Sequence, residues 1–321
     1  MLEYILFVVG IFLLIKGADY LVDGSSSLAK KLKVPTLVIG LTIVAFGTSM
    51  PELVVNILSA IRGSGDIAFG NIVGSNIANI LLILGITGVI RNLKVQHSTT
   101  WKEIPFSLLA VVVLLVFANT LTLDKLNITS LLRFEGIILI LFFAIFLHYV
   151  FELARRNRSR VEDKKIDIKK HSGLMIFLMI FGGLVALYFG GKWTVDGAIS
   201  FARIFGLSEY FIGLTIVAVG TSLPELFTSI IAAKKGDADL AIGNVVGSNI
   251  FNIFWILGVT AMILPISLPI FANVDLLILL GTTILLFMFI FVGKKHELER
   301  WQGAIFILLY IAYIYYLIFR G

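Results

Sequence analysis

Ten apolar runs, separated by short polar or charged connectors, make up most of the chain. A run of roughly 20 apolar residues is long enough to cross a bilayer as a helix. The pattern predicts spans at 2–22, 37–61, 67–90, 103–122, 132–154, 174–194, 210–233, 240–265, 274–293 and 300–319. The first run carries Glu3 and has no Lys or Arg before it. It lacks the basic start of a cleavable signal and is expected to be a retained span.

The connectors carry the charge, and they carry it unevenly. With alternate connectors assigned to opposite faces, one face receives 19 Lys and Arg and the other 5. The rich face holds Lys30, Lys31, Lys33, Arg91, Lys94, Lys102, Lys234, Lys235, Lys294, Lys295, Arg300 and the run 155–170. Positive charge marks the cytoplasmic side, so a cell-membrane protein with both termini outside and the middle linker inside is expected. The linker RRNRSRVEDKKIDIKK mixes signs and reads as a solvated connector, a headgroup-binding or regulatory segment being the other reading.

Composition agrees with lipid as the solvent. Hydrophobic residues reach 59% and charged ones only 14%, and mean hydropathy is +1.01, against about 45–50% and ~25% in a soluble domain. The net charge of +6 fits membrane orientation better than nucleic-acid binding. Without cysteine the chain has no disulfide, iron–sulfur cluster or thiolate zinc site.

Two stretches break the apolar pattern, and they are copies of one another. GLTIVAFGTSMPEL (40–53) and GLTIVAVGTSLPEL (213–226) agree at 12 of 14 positions, and GNIVGSNIANI (70–80) and GNVVGSNIFNI (243–253) at 9 of 11. Both pairs, with Val22-Asp23-Gly24 and Val195-Asp196-Gly197, stand at one offset of 173 residues. Five spans per copy is an odd number, so the second copy enters the membrane from the opposite face. The expected fold is an all-α polytopic membrane protein of ten transmembrane helices in two inverted-topology five-helix repeats. The units are 1–154 (repeat motif about 37–90), the linker 155–172, and 173–321 (repeat motif about 210–265).

Each copy places a carboxylate, Glu52 or Glu225, where a membrane helix ordinarily has none. Pro51 and Pro224 should free the carbonyls of Gly47 and Gly220, and freed carbonyls in hydrocarbon need another partner. A proline kink satisfied by nearby hydroxyls is the bland alternative, but it does not require a glutamate, twice. Helical spacing puts Thr48, Ser49 and Glu52 together, and Ser75 with Asn79; the second copy supplies Thr221, Ser222, Glu225, Ser248 and Asn252. All offer oxygen, which suits Ca²⁺ or Na⁺, and Mg²⁺ less because it dehydrates reluctantly. For Ser75, Asn79, Ser248 and Asn252 the competing reading is interhelical hydrogen bonding. Gly70/Gly74 and Gly243/Gly247 read as close-packing stripes. Asp19, Asp23 and Asp196 could line an ion path, interfacial solvation or capping being favoured. Asn127-Ile-Thr129 is a weak glycosylation match.

With these motifs in view, the chain resembles the sodium/calcium exchangers of the cation/calcium exchanger superfamily over essentially its whole length. The resemblance implies a core of spans two, three, seven and eight, with spans one and six sliding across it. It implies a metal site of Thr48, Ser49, Glu52, Ser75, Asn79, Thr221, Ser222, Glu225, Ser248 and Asn252, joined by the carbonyls of Ala45 and Ala218. It further implies exchange of three Na⁺ for one Ca²⁺, electrogenically, by alternating access. Several relatives carry Asp where this chain has Asn252, which weakens the case for potassium co-transport.

Other classes compete less well. A Ca²⁺/H⁺ antiporter of the same fold needs only the glutamates, whereas the added hydroxyls favour sodium. A channel predicts a continuous polar pore rather than inverted duplication around buried acids. An enzyme or ATP-driven pump lacks its signatures, GxxxxGK[ST] and HExxH, so no cofactor is expected.

Overall fold

The computed structural model describes residues 2–123, 130–156, 171–204, 218–269 and 271–320. Helix α1 (Leu2–Leu32) is followed by the pair α2 (Thr36–Thr48) and α3 (Met50–Ile61), bent by 43° at their junction. Then come α4 (Gly65–Ile90), α5 (Thr99–Asn119) and α6 (Arg133–Arg156). The second half runs α7 (Gly173–Ile204), α8 (Ala218–Thr221), α9 (Leu223–Lys234), α10 (Ala238–Ile263), α11 (Ala272–Phe289) and α12 (Arg300–Arg320). The expected span 210–233 is described only from 218 onward, and the linker and the Asn127 sequon lie outside the described residues apart from the linker's ends.

Burial sorts these helices into a centre and a periphery. In α4 and α10, 78% of the span is buried, against 22–39% in α1, α5, α6, α7, α11 and α12. The periphery exposes large apolar side chains such as Phe134, Phe151, Leu174, Phe181 and Phe319, as lipid-facing helices do. Packing at the centre depends on glycine. A Cβ on Gly243 would stand 2.9 Å from the Leu37 carbonyl, and one on Gly247 2.8 Å from the Ala45 Cβ. The small residues of α10 thus let α2 lie directly on it. The stretch that the repeat would lay on Gly70 and Gly74 begins at 210 and falls mostly outside the described residues.

Short strands repeat the inversion at the helix ends. β1 (Leu93–Lys94) pairs antiparallel with β4 (Glu297–Leu298), and β2 (Ser130–Leu131) with β3 (Ile266–Ser267). β1 and β3 stand at the same offset of 173 residues as the motifs.

Three boundaries differ from expectation. α1 continues to Leu32 and α7 to Ile204, well past the polar residues at which apolar runs 2–22 and 174–194 end. Gly24–Leu32 holds only good or tolerated helix formers, so nothing stops the helix where hydrophobicity stops. Helix also begins before Ile104, at a π-helical turn Thr99–Glu103, which carries Glu103 into the protein. Its carboxylate is fully buried and accepts a hydrogen bond from the Tyr149 hydroxyl. A boundary residue by pattern is therefore a buried acid.

Candidate functional site

The Thr-Ser-x-Pro-Glu turns interrupt their helices rather than kinking them. Ser49 has φ −84° and ψ 8°, and Ser222 φ −88° and ψ 6°, outside helical geometry. Pro51 and Pro224 then occupy the first turns of α3 and α9, where a missing N–H costs nothing. Glu52 and Glu225 share those first turns, where the positive end of the helix dipole favours an anion. The carbonyl ends of α2 and α8, the negative ends of their dipoles, face the same breaks. In place of the simple proline kink, the bland alternative from sequence, two half-helices meet at a carboxylate.

The two breaks meet across the repeats. Ser49 Oγ donates to Glu225 Oε1 at 3.0 Å, and Ser222 Oγ to Glu52 Oε1 at 3.4 Å. Ser248 Oγ lies 3.0 Å from Ser49 Oγ and 3.4 Å from Glu225 Oε1. Thr48 Oγ1 reaches the Val44 carbonyl at 3.0 Å and Asn244 Oδ1 at 3.1 Å, and Thr221 Oγ1 reaches Asn71 Oδ1 at 3.4 Å. Asn79 Nδ2 donates to Asn249 Oδ1 and Asn252 Nδ2 to Asn76 Oδ1, each at 2.9 Å. The Ser–Glu, Thr–Asn and Asn–Asn bonds each have a counterpart at the same 173-residue offset, whereas the Ser49–Ser248 contact has none at Ser222 and Ser75.

Burial is nearly complete. Thr48, Ser49, Glu52, Ser75, Asn79, Ser222, Glu225, Ser248 and Asn252 are each at most 2% exposed, and Thr221 is half-buried. Ala45 is buried, and its carbonyl accepts the Ser49 N–H at 3.0 Å with the Thr48 hydroxyl 3.4 Å away. Ala218 opens α8, but the Ser222 N–H goes to Val219 instead, at 3.1 Å. The first five residues of the second motif, 213–217, lie outside the described residues.

Several of the buried polar atoms that the described residues leave unsatisfied belong to the predicted set. Glu52 Oε2, Glu225 Oε2, Asn79 Oδ1, Asn252 Oδ1 and Ser75 Oγ are buried without a hydrogen-bond partner in the protein. An unsatisfied buried acceptor costs about 1–3 kcal/mol, more when charged. Four of the five are acceptors only, so a donor or a cation is what would satisfy them. Among the described residues no group of three or more His, Cys, Asp or Glu could hold a metal. Any cation here would rest on two carboxylates and neutral oxygens, a hard set.

Sequence reasoning passed over Asn71, Asn76, Asn244 and Asn249, all in contact with the predicted residues. Their signal was identity in both GNxVGSN copies, obscured because Asn79 and Asn252 already supplied the amides. Asn56 and Ser229, at matching positions, continue the network by accepting from Asn71 Nδ2 at 2.9 Å and Asn244 Nδ2 at 3.0 Å. Asp19 and Asp23 belong elsewhere. Both hold Lys235, at 2.5 and 2.7 Å, tying α1 to the end of α9 as partly exposed ion pairs.

Comparison with known proteins points one way. A family profile described as sodium/calcium exchanger protein matches residues 2–152 and 175–319. The sodium/calcium exchanger MaX1 of Methanosarcina acetivorans is 33% identical over 348 aligned positions, covering 97% of each chain. The inner membrane protein YrbG of Escherichia coli is 37% identical over 266, covering 81% of this chain and 79% of that one. Among solved structures, the sodium-calcium exchanger NCX_Mj soaked with Na⁺ and Ca²⁺ superposes with a TM-score of 0.82 at 30% identity, covering 98% of both chains.

Proposed function

We propose a function from an established premise: the chain belongs to the sodium/calcium exchanger protein family. It exchanges Na⁺ for Ca²⁺ across the membrane by alternating access around one central site. The ligands are Glu52 and Glu225 with the hydroxyls of Thr48, Ser49, Ser75, Thr221, Ser222 and Ser248, the amide oxygens of Asn79 and Asn252, and the carbonyls of Ala45 and Ala218. The observation that carries this reading is the two pairs of buried oxygens without partners, Glu52 and Glu225 Oε2 and Asn79 and Asn252 Oδ1, held in matching positions of both repeats.

The chemistry favours Ca²⁺ as one cargo and Na⁺ as the other. Two carboxylates balance one Ca²⁺, and neutral oxygens complete a coordination of 6–8. Hydroxyls and carbonyls at the broken turns add sites for several Na⁺, which protons do not need. Three Na⁺ for one Ca²⁺ moves one net charge per cycle, so transport is electrogenic and draws on existing gradients. The 19-to-5 bias in basic residues supports a cell-membrane protein with both termini outside and the linker cytoplasmic. The chain divides functionally into a repeat at 1–154, the linker 155–172 and a repeat at 173–321.

The test is ⁴⁵Ca²⁺ uptake into proteoliposomes loaded with Na⁺, against K⁺-loaded controls, with pH clamped on both sides. Uptake that needs internal Na⁺ and responds to membrane potential is the expected result. Uptake indifferent to Na⁺ and driven by a pH gradient would replace Na⁺ by H⁺ and leave the two-glutamate site standing.

A further inference from the structure

Two of the unpartnered oxygens point as they do for a reason that can be traced atom by atom. Asn76 Nδ2 lies 3.1 Å from the main-chain carbonyl of Asn249. A carbonyl only accepts, so nitrogen must face it; the flipped amide would set oxygen against oxygen. Asn76 Oδ1 is thereby turned to Asn252, whose Nδ2 stands 2.9 Å away. That acceptor in turn requires nitrogen from Asn252, and Asn252 Oδ1 is left on the other side, buried and without a partner.

The second repeat runs the same chain of constraint in reverse. Asn249 Nδ2 is 3.4 Å from the Asn76 carbonyl, and Asn249 Oδ1 accepts from Asn79 Nδ2 at 2.9 Å. Asn79 Oδ1 is then the buried, unpartnered atom. All four asparagines are at most 2% exposed, so water cannot readily substitute for either partner. The anchors are main-chain atoms, which do not flip.

We infer that Asn76 and Asn249 are positioning residues, each holding the amide of the opposite repeat, Asn252 and Asn79 respectively, so that oxygen and not nitrogen faces the transported cation. This rests on the ligand reading above. A misoriented carboxamide would present two N–H groups to a cation, opposing the charge it should stabilise. Fixing the flip before the ion arrives removes that competing state and the reorganisation on binding. Because each holder lies in the other repeat, the two halves of the site are preorganised jointly.

The experiment is a double-mutant cycle read as the KM for ⁴⁵Ca²⁺ in Na⁺-loaded proteoliposomes. Asn76→Ala should raise KM roughly 10–100-fold with Vmax changed far less. Asn252→Ala added to Asn76→Ala should raise KM little beyond the larger single effect, because both remove one oriented oxygen. Asn76→Ala with Asn79→Ala, in the same helix but in different pairs, should instead multiply. Multiplying effects for 76 with 252, or an unchanged KM in Asn76→Ala, would overturn the assignment. Should Asn76→Ala fail to fold, Asn249→Ala with Asn79→Ala runs the mirror cycle, with Ca²⁺-dependent thermal stabilisation of the purified protein as a second readout. A wild type that takes up no ⁴⁵Ca²⁺ under any gradient would sink the function itself, a failure distinct from additivity within an active series.

Discussion

Ser49 donates to Glu225 at 3.0 Å, joining the broken turn of the first repeat to the carboxylate of the second. With the hydroxyl hydrogen on the carboxylate and Ser248 Oγ 3.0 Å away, the oxygen keeps one lone pair that a cation could take. One serine thus holds the anion in place and, on the proposed reading, supplies a ligand. Ser49→Ala removes a hydrogen bond to a charged group, about 1.5–3 kcal/mol, which is roughly a 10–150-fold rise in KM for Ca²⁺. Ser222→Ala breaks the longer 3.4 Å counterpart to Glu52 and should cost less. Titration of ⁴⁵Ca²⁺ uptake for both variants orders them; a larger effect at Ser222 would contradict the geometry.

Glu52→Gln and Glu225→Gln keep shape and remove charge. Each leaves one carboxylate for a divalent ion in a site shielded from water, and its amide nitrogen would face the cation or strand an acceptor. Loss of a buried charge partner costs on the order of 3–5 kcal/mol, so Ca²⁺ exchange should fall to background in both. Proteoliposome flux, with monodispersity of the purified variants as the folding control, measures it. Near-normal exchange by either folded variant is incompatible with these glutamates as ligands.

Much of this was legible in the sequence, and the part that was not has a physical reason. Offset identity and the odd span count gave the inverted duplication, because a repeat imposes its symmetry on contacts as well as on letters. The hydroxyls and glutamates were legible because oxygen at membrane depth is expensive. The cross-repeat asparagine chain was not, since the partners of Asn76 lie 173 and 176 residues away. Nor was the break at Ser49 and Ser222, which depends on backbone torsion at one residue, nor buried Glu103, whose partner Tyr149 is on another helix.

Orientation is directly testable because the chain has no cysteine. A single Asn127→Cys should react with a membrane-impermeant maleimide on intact cells, since the charge bias predicts that the connector between the fourth and fifth expected spans lies outside. A single Ser159→Cys in the basic linker should react only after the membrane is opened. The reverse pattern would place both termini in the cytoplasm and invert the charge argument.

The contact between α2 and α10 makes the last prediction. α2 carries Thr48 and leads into Ser49, while α10 carries Ser248 and Asn252, so their spacing sets the distance between proposed ligands of opposite repeats. Gly243 holds that spacing: a Cβ there would meet the Leu37 carbonyl at 2.9 Å and the Gly40 Cα at 3.2 Å, both backbone atoms that cannot rotate aside. Gly243→Ala must push the helices apart by a few tenths of an ångström, and overpacking of this kind costs roughly 1–3 kcal/mol. Gly281→Ala, on α11, meets nothing within 4 Å among the described residues and gains helix propensity, about 1 kcal/mol. Thermal stability and ⁴⁵Ca²⁺ flux should both drop for Gly243→Ala and hold for Gly281→Ala. Equal behaviour of the two would mean that the close approach at Gly243 does not set the ligand spacing.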